Sequence, residues 1–287
     1  MSAATYNLRR PEERTTSVVF ASPHSGRDYP VSFLRKSVLD EQQIRSSEDV
    51  FVDQLFRSAP EFGAPLLTAL APRSYVDLNR APEELDQALI EGVRRISHNP
   101  RVASGLGVIP RVVANGRAIY RGKMTLVEAH HRISHYWRPY HDMLQTLLDE
   151  SQNKFGEAIL IDCHSMPHEA LENVGPPGAP RPDIVLGDRF GATAASSVME
   201  RVEAAMTNAG LRVARNMPFA GAFIAQHYGR PSRGQHAIQI EIDRGLYLNE
   251  TTLEPNENYE NLRRLLMGVI AEIAAIGRPT EDQLAAE

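Results

Sequence analysis

The sequence predicts an α/β fold whose central sheet is mixed and mostly parallel. Short apolar or β-branched runs, typical of buried strands, alternate with amphipathic helical segments through most of the 287 residues. Such alternation favours parallel pairing with helices on both faces of the sheet. The chain shows neither an internal repeat nor a linker. We therefore expect one domain, residues 1–287, with a core at about 17–276 and frayed ends.

The first third of the chain carries three apolar runs that are typical of strands. They cover residues 18–21, 66–70 and 74–78. Between the first two runs, Ser46 or Ser47 can cap a helix that ends at Gly63. The alternation of strands and helices therefore begins in this third of the chain.

The middle of the chain predicts a hairpin and a long helix. The pair Asn115-Gly116 is the strongest short turn signal and lies between two apolar runs, so residues 108–120 are interpreted as a hairpin. Thr125 and Glu128 form a capping box at the start of the helix. Pro139 should kink that helix or split it, because proline lacks the N–H that the helix needs.

Residues 159–167, with the sequence ILIDCHSMP, predict a central strand. Apolar and β-branched positions lead directly into Asp162, Cys163, His164 and Ser165, as in a strand that is buried on both faces. We expect His164 and Ser165 just past its carboxyl end, where open α/β sheets bind ligands. The alternative is that His164 is a hydrogen-bonded core histidine.

The last part of the chain continues the pattern. Strands are predicted at residues 183–186, 211–214 and 236–242, helices at 188–208 and 262–276, and a loop at 175–182. Asp188 is the expected cap of the first of these helices.

The composition excludes several classes of protein. A net charge of −5 argues against a nucleic-acid-binding surface. Cys163 is the only cysteine, which excludes an intrachain disulfide and favours a reducing compartment. Residues 1–14 lack the apolar core of a signal peptide, and no run approaches the length of a membrane span. We expect a cytoplasmic protein with no nucleic-acid or membrane partner.

Histidine and carboxylate side chains at the ends of predicted elements suggest a metal site. Catalytic zinc takes three protein ligands and keeps a fourth position for water. His24, Asp49 and His164 can supply two nitrogens and one oxygen. A separate carboxylate must then move the proton of the water. Glu241 suits that role, because residues 236–242 alternate between apolar and polar and Glu241 faces out of the apolar run.

Each of these residues has a structural alternative. His24 could be a turn residue, and Asp49 could favour a helix N-terminus. Glu48 competes with Asp49 as a ligand, and Glu241 could be a strand carboxylate paired with Arg244.

Other possible sites are weaker. The pair His131 and His135 lacks the glutamate of an H-E-x-x-H motif, so both are interpreted as solvated. The sequence contains no G-x-S-x-G motif, so a serine nucleophile is not indicated. Cys163 follows a buried strand and is interpreted as a small apolar filler rather than a nucleophile.

Several segments, taken in order, resemble those of N-formylglutamate amidohydrolases. They are Pro23-His24-Ser25-Gly26, Ser74-Tyr-Val-Asp-Leu-Asn-Arg80, Asp162-Cys-His-Ser165, Gly221-Ala-Phe-Ile with His227-Tyr-Gly229, and His236-Ala-Ile-Gln-Ile-Glu241. The resemblance extends from about residue 17 to 270. It implies kinship with zinc carboxypeptidases and aspartoacylase, and hence a three-layer phosphorylase/hydrolase-like fold with one Zn²⁺.

The resemblance also implies roles for individual residues. In those relatives an Asn-Arg pair holds the substrate carboxylate, and here it falls on Asn79-Arg80. A preceding arginine that polarises the scissile carbonyl corresponds to Arg73, although Arg73 and Arg80 could instead be surface cations. The histidine ligands correspond to His24 and His164, and the base to Glu241.

The second metal ligand departs from the relatives. Their glutamate three residues after the first histidine is replaced by Arg27, which cannot bind a metal. Asp49 is the expected substitute, by its resemblance to an aspartate of the family, with Glu48 as the alternative.

Together these inferences give a hypothesis of function. The expected reaction is zinc-dependent hydrolysis of an N-acyl amino acid such as N-formyl-L-glutamate, with Tyr228 and Arg244 contacting the rest of the substrate. For Tyr228 and Arg244 the alternative is structural packing. The rival functions are a carboxypeptidase-like or N-acetyl-amino-acid hydrolase, a non-catalytic binder of small carboxylates, and a cysteine hydrolase that uses Cys163.

Overall fold

The computed structural model describes residues 4–93, 99–172, 174 and 180–279. They form a mixed α/β fold, so the predicted fold class is confirmed. The seven strands of the main sheet are β1 (Tyr6–Arg9), β2 (Val18–Ser22), β3 (Leu66–Ala69), β4 (Ala158–Met166), β5 (Ile184–Gly187), β6 (Val213–Arg215) and β7 (Gln235–Asp243). A small second sheet contains β8 (Leu248–Asn249) and β9 (Glu254–Pro255).

Nine α-helices accompany the strands in the part of the chain that the structure describes. They are α1 (Val31–Lys36), α2 (Glu41–Ile44), α3 (Val52–Leu55), α4 (Pro100–Ala103), α5 (Leu126–Arg132), α6 (Arg138–Phe155), α7 (Ser196–Asn208), α8 (Phe223–Tyr228) and α9 (Tyr259–Ile276). Within this part, no helix combines the length and the apolar character that a membrane span requires.

The sheet has the order β1-β3-β2-β4-β7-β5-β6, so β4 lies at its centre. Strand β4 pairs in parallel with β2 and β7, and β5 pairs in parallel with β6. Only the pairing of β5 with β7 is antiparallel among these four. The sheet is therefore mixed and mostly parallel, as predicted.

The two faces of the central strands differ in chemistry. Successive side chains of a strand point to opposite faces. Ile159, Ile161 and Cys163 of β4 enter the main apolar core, together with the alternate isoleucines of β7 and residues of α3, α7 and α9. Asp162 and His164 take the opposite face, where they are also buried. The polar residues of the strand therefore share one face of the sheet.

By internal contacts the described residues divide into two compact units. The first takes those up to Asn7, Pro23–Asp49 and Thr68–Met143, and the second takes Leu8–Ser22, Val50–Leu67 and the described residues after Met143. One domain over the whole chain stays a prediction.

The first unit contains a buried arginine. Arg132 is fully buried, and its guanidinium lies 4.1 Å from the ring centroid of Tyr75. It donates hydrogen bonds to the Tyr120 hydroxyl and to the Glu128 carboxylate. A buried cation needs such a set of π faces and acceptors to offset its desolvation.

Residues 74–78, predicted as a strand, form turns and irregular backbone. The apolar residues of this run are buried as expected, but Asp77 donates its backbone N–H to the Val108 carbonyl. Side chains from the helical segment after Thr125 bind the carbonyl oxygens of the run and of Arg80 beyond it. Because these tertiary contacts satisfy the backbone, sheet pairing is not needed.

Other predicted elements are shorter in the structure. The helix expected to end at Gly63 consists of α3 and a 3₁₀ turn at Ala59–Phe62. The hairpin reduces to a bridge between Val112 and Ala118, with Asn115 in the left-handed turn conformation. Most of the predicted loop 175–182 lies outside the described residues, as do residues 1–3 and 280–287 of the ends that were expected to be frayed. The N-terminal end is more ordered than predicted, because Tyr6–Arg9 forms β1 of the main sheet.

The helix expected after Asp188 begins only at Ser196. Arg189, Phe190 and Gly191 have consecutive positive φ angles, which no right-handed helix allows. Asp188 instead accepts hydrogen bonds from Gly191 and from the side chain of Asn216.

Thr125 caps the helix as predicted, since its hydroxyl accepts from the Glu128 N–H. The Glu128 carboxylate, the other half of the predicted capping box, accepts from Lys36 and Arg132. Around Pro139 the chain stays helical from Leu126 to Phe155. A π turn at Ile133–Trp137 joins α5 to α6, and the Arg138 N–H donates to the Ile133 carbonyl across it. The widened turn accommodates the proline at the second residue of α6.

Candidate active site

His24 lies in the loop that follows β2. Its ring is buried, with 1% of the residue exposed. The loop continues through Gly26, where an added Cβ would lie 2.2 Å from the Ala71 carbonyl oxygen. Only glycine allows the two backbones to approach so closely. The Pro-His-Ser-Gly sequence therefore fixes the histidine in a tight loop.

Asp49 is tied to the same loop. Its backbone N–H donates to the carbonyl oxygen of His24, at 3.0 Å. The side chains also meet, with Nδ1 of His24 3.5 Å from Oδ2 of Asp49. Asp49 is 1% exposed. The two predicted ligands thus face each other in a buried setting.

The neighbouring Glu48 is engaged elsewhere. Its carboxylate accepts hydrogen bonds from the guanidinium of Arg45 and from the hydroxyl of Tyr29. Glu48 is 3% exposed, so these contacts compensate a buried charge. The two acidic residues therefore have different contacts. Glu48 binds Arg45 and Tyr29, whereas Asp49 faces His24.

A carboxylate that the sequence reasoning missed orients His24. Nε2 of His24 lies 2.7 Å from Oδ1 of Asp77. Asp77 also accepts from Nε of Arg73 at 3.0 Å and from the Asn79 N–H at 2.8 Å. Burial by itself raises the pKa of this carboxyl, but the charges of Arg73 and His24 hold the pKa well below its usual range. Asp77 is therefore an ionised acceptor for the imidazole.

The predicted carboxylate-binding pair follows immediately. Asn79 and Arg80 are 3% and 7% exposed. Arg80 donates from Nε to the Leu106 carbonyl and from Nη1 to the Asn79 carbonyl. Arg80 is thus a buried, oriented guanidinium rather than a surface cation.

His164 lies inside β4 rather than beyond its carboxyl end, because the strand continues to Met166. Its Nε2 is 3.0 Å from Oδ2 of Asp162, which lies two residues earlier on the same face. Both residues are almost fully buried. His164 therefore has a carboxylate partner on its own strand, and Asp162 was another residue that the sequence reasoning did not single out.

Glu241 lies on β7 as the register partner of His164. Residues paired in this way on parallel strands project from the same face of the sheet. Oε1 of Glu241 accepts a hydrogen bond from Nε2 of Gln239, at 2.8 Å. Gln239 in turn accepts from the Ala222 N–H, so the loop before α8 supports the carboxylate.

Arg244 and Tyr228 are both buried. Arg244 follows β7 and donates from Nε to the hydroxyl of Ser165, the residue after His164. Tyr228 ends α8, and its carbonyl accepts from the side chain of Gln235. Arg244 is thus held next to the end of β4, and Tyr228 is buried at the end of α8.

The structure brings three of the predicted site residues together as a group that can bind a metal. His24, Asp49 and His164 each offer one ligand atom, and these atoms all lie within 4.8 Å of one another. All three residues are buried. Two imidazole nitrogens and one carboxylate oxygen are the donor set of many catalytic zinc sites.

Cys163 has none of the properties of a nucleophile. Burial and the neighbouring Asp162 raise the pKa of its thiol well above the ordinary value. Its side chain belongs to the apolar core on the face of β4 opposite to His164. The structure therefore supports the interpretation of Cys163 as a filler.

A sequence profile of the N-formylglutamate amidohydrolase family matches residues 16–248 of the chain. N-formylglutamate deformylase of Pseudomonas putida is 28% identical over 263 residues, which cover 89% of this chain and 90% of the relative. The protein of the same name from Pseudomonas aeruginosa is 28% identical over 240 residues, which cover 81% and 82%.

Solved structures show a corresponding similarity. The crystal structure of an N-formylglutamate amidohydrolase from Ralstonia eutropha JMP134 superposes with a TM-score of 0.89 at 35% identity, covering 96% of this chain and 99% of the other. A gene product of Agrobacterium tumefaciens superposes with a TM-score of 0.66 at 17% identity, covering 96% and 97%. The second likeness shows that the fold is shared.

Proposed function

The chain belongs to the N-formylglutamate amidohydrolase family and is an amide-bond hydrolase, and on this premise we propose that it hydrolyses N-formyl-L-glutamate to formate and L-glutamate. The observation that carries the proposal is the buried group of His24, Asp49 and His164. The register partner of His164 is Glu241, a carboxylate suited to proton transfer. A metal site and a base are the two parts that such a hydrolase needs.

We assign His24, Asp49 and His164 as the residues that would hold one zinc ion. Their donor set and their number fit zinc, which in catalytic sites takes three protein ligands. When bound, zinc supplies Lewis acidity, which acidifies a water and polarises a carbonyl oxygen. All three residues are buried, so their donor atoms are held within the protein rather than on its surface.

Asp77 and Asp162 are assigned as the partners that orient the two imidazoles. Each lies within hydrogen-bond distance of Nε2 of its histidine, at 2.7 Å and 3.0 Å. With Nε2 directed at a carboxylate, Nδ1 is the nitrogen of each ring that would be left to hold a zinc ion. Such carboxylate–histidine pairs fix the tautomer and raise the basicity of the ligand.

Glu241 is assigned as the general base and acid. Gln239 orients this carboxylate by donating from Nε2 to Oε1. The carboxylate removes a proton from the attacking water and returns it to the amide nitrogen, which then leaves as the amine of glutamate. Formate takes the oxygen of the water, so the atoms balance.

The arginines are assigned to the substrate. Arg73 stabilises the negative charge that develops on the formyl oxygen, and its own position is set by Asp77. Arg80 donates two of its five N–H groups to carbonyl oxygens among the described residues, and we assign its other N–H groups to the α-carboxylate beside Asn79. Arg244 and Tyr228 are proposed to contact the remaining groups of the substrate.

A panel of substrates tests this proposal. We expect turnover of N-formyl-L-glutamate to exceed that of N-acetyl-L-glutamate and of a dipeptide with C-terminal glutamate. A preference for N-acetyl-L-glutamate or for the dipeptide would favour the rival N-acetyl-amino-acid or carboxypeptidase-like activity. The cytoplasmic location and the lack of a nucleic-acid partner remain predictions.

A further inference from the structure

The segment from Asp77 to Arg80 is a buried loop. Its four residues are at most 7% exposed, although their backbone has no regular pairing. Backbone groups in such a place need hydrogen-bond partners from elsewhere in the chain. The position of Arg80 therefore depends on the side chains that bind the backbone of this loop.

One helical segment supplies donors to three carbonyl oxygens in and around this loop. Arg132 donates to the Tyr75 carbonyl at 3.1 Å, His141 to the Leu78 carbonyl at 2.8 Å, and Trp137 to the Arg80 carbonyl at 2.9 Å. The rings of Trp137 and His141 stack on each other, with centroids 3.9 Å apart. The two side chains therefore act as a paired support.

The π turn between α5 and α6 explains how these donors face the same loop. Arg132 and Trp137 are five residues apart, which in a regular α-helix would separate them by roughly 140° around the axis. The i to i+5 bond from Arg138 to Ile133 makes five residues complete roughly one turn instead. Arg132 and Trp137 can then both point towards the loop, and His141 follows one turn later.

We propose that Trp137 and His141 are positioning residues for the carboxylate-binding pair Asn79-Arg80. The inference rests on the proposed function, since it assumes that Arg80 binds the α-carboxylate of the substrate. The two ring N–H groups hold the carbonyls on either side of Asn79, and thereby set the direction of the Arg80 guanidinium. A bidentate contact with a carboxylate is sensitive to small errors in that direction.

The variants Trp137→Phe and His141→Phe test the proposal, because each keeps an aromatic ring and removes the N–H donor. Thr16→Val is the matched control, since it removes another buried side-chain donor to a carbonyl, that of Ala274, in the other compact unit. His141→Gln keeps a donor and should rescue the loss. Melting temperature and zinc content are measured for every variant.

Steady-state kinetics are compared for N-formyl-L-glutamate and for 4-formamidobutyrate, which lacks the α-carboxylate. We expect Trp137→Phe and His141→Phe to raise the KM for N-formyl-L-glutamate roughly tenfold, the order of effect that one lost hydrogen bond produces. The kcat should change little, and kcat/KM for 4-formamidobutyrate should be unchanged. Thr16→Val should leave KM and kcat unchanged for both substrates, even if the melting temperature of this variant falls.

Two results would overturn the inference. If the phenylalanine variants lower kcat/KM equally for both substrates, their role is structural only. If Arg80→Lys raises KM while neither phenylalanine variant does, the pair does not position Arg80, and the proposed function stands. A wild-type protein without turnover of N-formyl-L-glutamate refutes the proposed function itself and this inference with it.

Discussion

His164 and Glu241 are register partners on the adjacent parallel strands β4 and β7. Their side chains therefore project from the same face of the sheet, on neighbouring strands roughly 4.8 Å apart. On the same strands, Asp162 and Gln239 are also paired and bind His164 and Glu241 respectively. The sheet itself thus places the proposed metal ligand beside the proposed base, and each has its own supporting side chain.

This relationship predicts how Glu241 contributes. Glu241→Gln keeps the size of the side chain but removes its basicity, so we expect kcat to fall roughly 10²- to 10⁴-fold. Zinc content should not change, because Glu241 is not assigned as a ligand. Kinetics and metal analysis of the same preparation check both expectations. An equal loss of zinc would mean that Glu241 supports the metal rather than the proton transfer.

The two adjacent acidic residues should separate in their effects on zinc. Asp49→Asn replaces a charged ligand with a neutral one and should weaken zinc binding. Glu48→Gln weakens the contacts with Arg45 and Tyr29, which should cost about 1–3 kcal/mol of the free energy of unfolding. The zinc content of Glu48→Gln should stay at one ion per chain. Competition with a chelator and denaturant unfolding measure the two quantities, and the reverse pattern would make Glu48 the ligand.

Asp77 should act on the metal through His24. We expect Asp77→Asn to weaken zinc binding roughly 10- to 100-fold, because a neutral amide no longer orients and polarises the imidazole. Asp86→Asn is the control, since Asp86 is a similarly buried carboxylate paired with Arg111 in the same compact unit. Zinc titration of both variants decides the matter, and equal affinities would show that Asp77 has no special role.

The ion pair between Asp183 and Arg212 should make stability depend on pH. Partial burial by itself raises the pKa of Asp183, but hydrogen bonds from Arg212 lower it below its ordinary value. A carboxyl with a depressed pKa in the folded state stabilises fully above its unfolded pKa of about 4. The contribution is lost as the pH falls through the lower folded pKa.

Comparison with Asp183→Asn isolates that contribution. The difference in free energy of unfolding between wild type and variant should be constant near neutral pH and should shrink as the pH falls below about 4. Urea unfolding at several pH values measures it. A difference that stays constant down to pH 2 would show that the ion pair does not shift the pKa.

Most strands, and the faces to which their side chains point, could be predicted from the sequence, because period-two patterns and buried apolar runs are local signals. The alternation in β7 located Glu241 on the polar face, and the apolar run of β4 led to His164. The alternation could not give the register between the two strands. That pairing depends on residues 77 positions apart in sequence, from His164 to Glu241.

The errors have tertiary causes. Residues 74–78 resemble a strand, yet their carbonyls are bound by Arg132 and His141, which lie far along the chain. Asp77 is 53 residues from His24, so its role as a partner could not be read from local spacing. Asp162 could have been found, because two residues along a strand place it on the same face as His164.

The central claim is that His24, Asp49 and His164 hold a zinc ion on which the hydrolysis depends. The most direct test measures zinc content and N-formyl-L-glutamate turnover in the same sample, before chelation, after chelation and after zinc is restored. The account predicts one zinc per chain, loss of turnover with loss of zinc, and recovery of both together. Full turnover by the zinc-free protein would contradict it.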